Sequence, residues 1–239
     1  MVALSKRMQA NADMVSPCGV VADIGCDHGY LSIFLLESEK KDRAIAMDVR
    51  SGPLNSAKEN VRLAGLQDKI ELRLSDGLEK LDVGEADSVV IAGMGGPLME
   101  RILTDGFLVA KQCKELILQP QSEISDFRRF LMDGGFLVLD ETCVFDEGKY
   151  YFPMKVCPAE SPLAKDGYKW TKDAEFAYGG KMLQQKNETL KKYLLKEQAQ
   201  WEKNLSRIEL AETTAEIQTR MDEINDRLDL IEQALRYYF

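Results

Sequence analysis

The chain has 239 residues, 45% of them hydrophobic and 30% charged, with a formal net charge of −9. That length suits one sizeable α/β domain with an appendage, and the composition excludes long disorder. No apolar run reaches the ~18–20 residues of a membrane span, and the N-terminal stretch MVALSKRMQANADMV lacks a signal peptide's apolar segment, so a cytoplasmic location and no membrane partner are expected. Five scattered cysteines form no CxxC pair and His28 is the single histidine, so no zinc site, disulfide framework or other metal centre is expected.

In chain order, residues 2–16 read as a short helix. Strand and helix signals then alternate: strand 19–24, helix 29–39, strand 43–48, helix 52–65, strands 69–74 and 87–92, helix 96–104, strand 114–119, helix 122–132. Short apolar runs alternating with helical patterns predict a parallel sheet with helices on both faces. Pro53 suits the first turn of its helix, and Gly65 can end it. After Gly134-Gly135 the pattern changes to two strands, 136–145 and 149–157, around a turn at Asp146, Glu147 and Gly148, so the sheet is expected to finish with an antiparallel hairpin. Residues 161–180 read as a linker. Residues 181–239 contain neither Gly nor Pro, and Ile217, Met221, Ile224, Leu228, Ile231 and Leu235 step by 4, 3, 4, 3, 4, a heptad seam. The polar stretch Ala211 to Glu216 divides this region into two helices folded as an antiparallel coiled-coil hairpin. A single long helix that dimerises is the alternative, and a monomer is favoured. The domains are then 1–160, the linker, and 181–239.

The stretch VADIGCDHGYLS, residues 20–31, has a strand, a glycine turn and a helix, the opening of a dinucleotide fold. Asp23 and Asp27, however, would repel a pyrophosphate, by on the order of 4 kcal/mol for unit charges 4 Å apart at an effective dielectric of ~20. S-adenosylmethionine carries an ammonium and a sulfonium and no phosphate, and a carboxylate at the loop favours it. Asp48, followed by Val49, ends the second strand, where an acidic side chain can take both ribose hydroxyls. Asp76-Gly77 follows the third strand, placed to accept from the adenine amino group. VVIAGMGG at 89–96 closes the fourth strand with Gly93, Met94 and Gly95 at the carboxyl edge of the sheet. Each piece also has a bland reading as a helix cap or tight turn; their order at four successive strand ends makes the cofactor reading the better one.

The motifs LSKRMQ at 4–9, ADIGCDHGYL at 22–31, GEAD at 84–87, IAGMGG at 91–96 and LILQP at 116–120 resemble the bacterial tRNA (adenine N1) methyltransferase family that modifies position 22. The resemblance runs almost end to end. It implies a Rossmann-like class I methyltransferase domain, with a mostly parallel seven-stranded sheet, followed by a coiled-coil domain. It further implies S-adenosyl-L-methionine as cofactor and tRNA as partner. Cofactor residues carry over to Asp23, Gly25, Asp27, His28, Asp48, Asp76, Gly77 and the Gly93–Gly96 loop.

Adenine N1 attacks with its own lone pair, so the chemistry demands positioning rather than a strong base. Asp27 and His28 are therefore candidate orienting groups. Met94 and Gln119 can line the base pocket, and Tyr30 can stack on a flipped base, although packing under the loop is the better reading of Tyr30. Lys6 and Arg7 can meet phosphate. Residues 181–207 carry seven Lys or Arg against three Glu, so Lys191, Lys192 and Lys196 can extend that track, although a solvated helix face explains them as well. The competing readings are a methyltransferase acting on a small molecule or protein, which the acidic net charge favours, and a non-catalytic module whose coiled coil recruits a partner. An NAD oxidoreductase is disfavoured by Asp27.

Overall fold

The computed structural model describes residues 2–17, 19–210 and 214–239. Part of the polar interruption at 211–216, and Cys18, lie outside the described residues. The chain divides into two compact units, Met1–Lys169 and Trp170–Phe239.

In the first unit, α1 (Lys6–Met14) is followed by β1 (Val20–Ile24), α2 (Tyr30–Glu37), β2 (Arg43–Asp48), α3 (Ser51–Leu63), β3 (Ile70–Leu74), β4 (Ser88–Met94), α4 (Gly96–Asp105), α5 (Phe107–Gln112), β5 (Glu115–Pro120), α6 (Ile124–Asp133) and β6 (Phe136–Glu141). Then come β7 (Val144–Asp146), β8 (Lys149–Tyr151) and β9 (Met154–Pro158). Seven strands form one sheet in the order β3-β2-β1-β4-β5-β9-β6. The pairs among β1 to β5 are parallel, and β9 runs antiparallel to both β5 and β6. The central strands are buried on both faces, which is why they read as unbroken apolar runs rather than alternating ones. Ala12, Val15, Val21, Leu31, Ile33, Leu35 and Ala57 are among the side chains packed in this core.

The final hairpin differs from its sequence pattern. The turn at 146–148 joins β7 to β8, a separate two-stranded ribbon. The runs 136–145 and 149–157 are each broken, between β6 and β7 and between β8 and β9. Pro153 sits at the second break with no N–H to give a ladder, while its carbonyl accepts from Thr142 N at 3.0 Å. The antiparallel finish is retained, with β9 inserted between β5 and β6.

The second unit starts inside the stretch read as linker. Residues 164–166 form a single 3-10 turn in the first unit, and α7 (Asp173–Tyr178) and α8 (Gly180–Gln184) open the second. Glu175 ties down the start of α7 by accepting from the backbone N–H of Thr171 at 2.8 Å and of Lys172 at 3.2 Å. Two 21-residue helices follow, α9 (Glu188–Ile208) and α10 (Ala215–Leu235), capped by Asn187 and Thr214. They are antiparallel: Tyr238 Oη donates to the Asn187 carbonyl at 2.9 Å, and Arg227 pairs with Glu197 at 3.3 Å. Leu190 and Leu194 are buried from one helix and Ile224 and Ile231 from the other, as the heptad seam requires. No helix of the described residues is long and apolar enough to cross a membrane.

Candidate functional site

Strand order reverses at β1, which pairs with β2 on one side and β4 on the other. A cleft of about 630 Å³ opens there at the carboxyl ends of the strands, where open α/β sheets bind ligands. Asp23 and Ile24 of β1, Gly25 to Asp27 of the loop, Asp48 to Arg50 after β2, Ser75 to Gly77 after β3, and Ala92 to Met94 of β4 line it.

The loop after β1 is set by two backbone bonds. Gly25 N and Cys26 N both donate to the Met47 carbonyl, at 2.8 and 2.9 Å, and hold the loop against β2. Gly25 has φ +73°, and a Cβ there would lie 2.3 Å from Met94 Cε. The left-handed backbone is the reason for the glycine, since the Met94 methyl ends a flexible side chain that can move aside. Asp27 takes the left-handed conformation too, with φ 50°, one that Asp tolerates better than most residues. Its N–H donates to Asp48 Oδ2 at 3.3 Å, and Arg50 N donates to Asp48 Oδ1 at 2.9 Å. Asp48, buried, is thus aimed by two amides and keeps acceptor capacity on both oxygens.

Asp23 is buried and accepts from Ser32 Oγ at 2.8 Å. Burial pushes its carboxyl up to about 6, against the lowering effect of the Ser32 hydrogen bonds, with nearby Asp48 adding to the rise. Burial likewise drives the Cys26 thiol above its ordinary range, helped by Asp23, Asp48 and Asp27, so the thiol stays protonated at neutral pH. At the far end of the cleft Asp76 faces Arg101 of α4, which holds its carboxyl below the usual range chiefly by hydrogen bonding.

A β-bulge between Ala92 and Met94 interrupts the β4–β5 register, with Gly93 at φ +80°. The nearest atom to a Cβ at Gly93 would be Arg7 Nη1, at 3.5 Å. Arg7 itself lies 5.1 Å over the Tyr151 ring, and its backbone N–H donates to Asp146 Oδ2 at 3.1 Å. The β7–β8 ribbon therefore steadies the start of α1 at this end of the cleft.

Of the residues expected from sequence, Asp23, Gly25, Asp27, Asp48, Val49, Asp76, Gly77, Gly93, Met94 and Arg7 line the cleft. His28, Tyr30, Gln119, Gly95 and Lys6 are not among its lining residues. The His28 imidazole is about half exposed, 3.6 Å from Asp27 and stacked 5.7 Å from Tyr30, while Asn60 Nδ2 holds its carbonyl at 2.9 Å. Gln119 is fully buried, its Nε2 donating to the Pro120 carbonyl at 3.2 Å and its Oε1 without a partner among the described residues. Lys191, Lys192 and Lys196 belong to α9 in the second unit; Lys192 and Lys196 are exposed, and Lys191 lies over the rings of Tyr238 and Phe239.

Sequence reasoning missed Met8 and Asn11 of α1, Ser75, and Leu98, Arg101 and Ile102 of α4. The last three recur at i, i+3 and i+4, the spacing of one helix face, and that is the signal that could have found them. Asn11 is buried with its Oδ1 unpartnered among the described residues, while its Nδ2 donates to the Arg7 carbonyl at 3.0 Å.

The residues fit a cofactor that is cationic at one end and phosphate-free. Three carboxylates end three adjacent strands of one cleft, and glycines stand where a Cβ would fill the space. A methyltransferase domain model matches residues 4–154. The tRNA (adenine(22)-N(1))-methyltransferase of Bacillus subtilis (strain 168) is 32% identical over 232 residues, 97% of each chain. The crystal structure of the B. subtilis m1A22 tRNA methyltransferase TrmK superposes with a TM-score of 0.85 at 32% identity, over 98% of this chain and all of that one. M. capricolum TrmK, in complex with S-adenosyl-homocysteine, gives a TM-score of 0.76 at 26% identity, over 95% and 99%. Resemblance in motif, fold and length thus agree, and the chain belongs to the tRNA (adenine(22)-N(1))-methyltransferase family.

Proposed function

We propose that this protein transfers the methyl group of S-adenosyl-L-methionine to N1 of the adenine at position 22 of tRNA, in the cytoplasm. The observation that carries the reading is the carboxylate row Asp23, Asp48 and Asp76 along a cleft at the strand-order reversal, in a chain similar over its whole length to the B. subtilis enzyme.

S-adenosylmethionine supplies an electrophilic methyl on its sulfonium. The chain's residues bind, orient and exclude water. Asp48, aimed by the amides of Asp27 and Arg50, accepts from the ribose hydroxyls. Asp76 accepts from the adenine amino group. Asp23 faces the cationic methionine end with Asp27, and becomes charged above pH 6. Gly93, Met94 and Arg7 line the same cleft on the β4 side and would border the acceptor adenine. N1 brings its own lone pair and no proton must leave before attack, so the cleft needs no strong base. Holding the two reactants in line contributes on the order of 7–11 kcal/mol. Asp27 acts through the loop it shapes rather than as a base. His28, off the cleft lining, serves the loop's outer face.

Lys6 and Arg7 meet tRNA phosphate near the acceptor, Lys191, Lys192 and Lys196 of α9 meet tRNA as well, and the protein acts as a monomer. A tRNA transcript with adenosine at position 22 accepts methyl label, and one with guanosine there does not; equal labelling of the two would exclude this position.

A further inference from the structure

Asp48 is aimed by two backbone amides, but Asp76 is held by a side chain. Arg101 Nη2 donates to Asp76 Oδ1 at 2.9 Å and Nη1 to Oδ2 at 3.1 Å, a two-toothed pairing. No other hydrogen bond to the Asp76 carboxylate occurs among the described residues. Both side chains are about half exposed and both line the cleft. The guanidinium is itself flanked by Asp105, one turn on in α4, at 3.6 Å. Gly77, at φ +56°, has its missing Cβ 2.9 Å from Ile102 side-chain atoms, so the loop bearing Asp76 lies directly against the helix bearing Arg101.

We propose that Arg101 is a positioning residue that orients the Asp76 carboxylate toward the exocyclic amino group of the cofactor's purine, and so makes the site select an aminopurine over an oxopurine. This rests on the S-adenosylmethionine reading above. An ionised carboxylate only accepts hydrogen bonds, and each oxygen has two lone-pair directions. The guanidinium fork takes one direction on each oxygen and fixes the plane of the group. The remaining pair then points in a set direction that an amine can use and a ring carbonyl cannot. Lysine, a point charge with no planar fork, cannot fix that plane.

The test is calorimetric binding of S-adenosylhomocysteine and of its deaminated analogue S-inosylhomocysteine to the full chain, as wild type, Arg101→Leu and Arg101→Lys. Wild type is expected to prefer the amino ligand. Both variants are expected to bind it about 5–10-fold more weakly, the scale of one ordinary hydrogen bond, while affinity for the oxo analogue stays within twofold. That unchanged affinity also shows the variants are folded. Equal weakening toward both ligands, no change toward either, or full retention by Arg101→Lys would each overturn the role. Failure of wild type to bind S-adenosylhomocysteine would overturn the cofactor reading and the inference with it.

Discussion

Asp23 links proton binding, stability and cofactor affinity in a single side chain. Its folded carboxyl titrates near 6 against 3.8 as the ordinary value, so the fold holds that proton more tightly than the unfolded chain does. The associated stability is full below about pH 4 and is lost as pH rises through 6, on the order of 3 kcal/mol in all. Asp23→Asn keeps an acceptor for Ser32 and abolishes the charge. The variant is expected to resist denaturant more strongly than wild type at pH 8 when ligand-free, and to bind S-adenosylhomocysteine less tightly. Wild-type affinity should fall as pH drops through 6 while that of the variant stays flat. A variant no more stable at pH 8 would show that the charge is not destabilising. Gly25 is a second sensitive position. Gly25→Ala forces a side chain into the left-handed region, at roughly 1–2 kcal/mol, while the Met94 methyl, at the end of a flexible side chain, can move aside. Its affinity for the same ligand should fall about tenfold, and unchanged titration calorimetry would show that the left-handed backbone at Gly25 does not shape the cleft.

Among elements, those read most directly from sequence were the central ones. β1, β2, β4 and β5 are buried runs whose apolar pattern needs no partner to be recognised, and Asp23 and Asp48 lie at the ends of β1 and β2 themselves. What was not legible depends on contacts distant in sequence. The pieces of the two broken strands, the short α5 after Gly106, α7 in the stretch read as linker, and α8 at the junction of that stretch with the helical region have too few residues for periodicity to register. Arg101, Met8 and Asn11 reach the cleft only because α4 and α1 pack beside it. His28 sits in the most family-specific motif, yet Asn60 of α3, thirty-two residues away, holds its carbonyl. The α9–α10 pair, by contrast, was legible from its heptads. Ile231→Ala removes a fully buried side chain from that seam and should cost about 2–5 kcal/mol, measured as a lower denaturation midpoint for the transition of the second unit. No shift would mean the seam is not the packing surface.

At the scale of the whole molecule, a protein of net charge −9 is proposed to hold a polyanion, and that requires local rather than overall charge. Replacing Lys191, Lys192 and Lys196 together with Glu is expected to raise the KM for tRNA at least several-fold and to leave S-adenosylhomocysteine affinity unchanged. An unchanged KM would remove α9 from the tRNA-binding surface. The central claim, methyl transfer to adenine N1, is tested most directly by incubating the protein with radiolabelled S-adenosylmethionine and unmodified total tRNA, then digesting the tRNA to nucleosides. Label in N1-methyladenosine is expected. Label in another nucleoside, or none despite measurable cofactor binding, would contradict it.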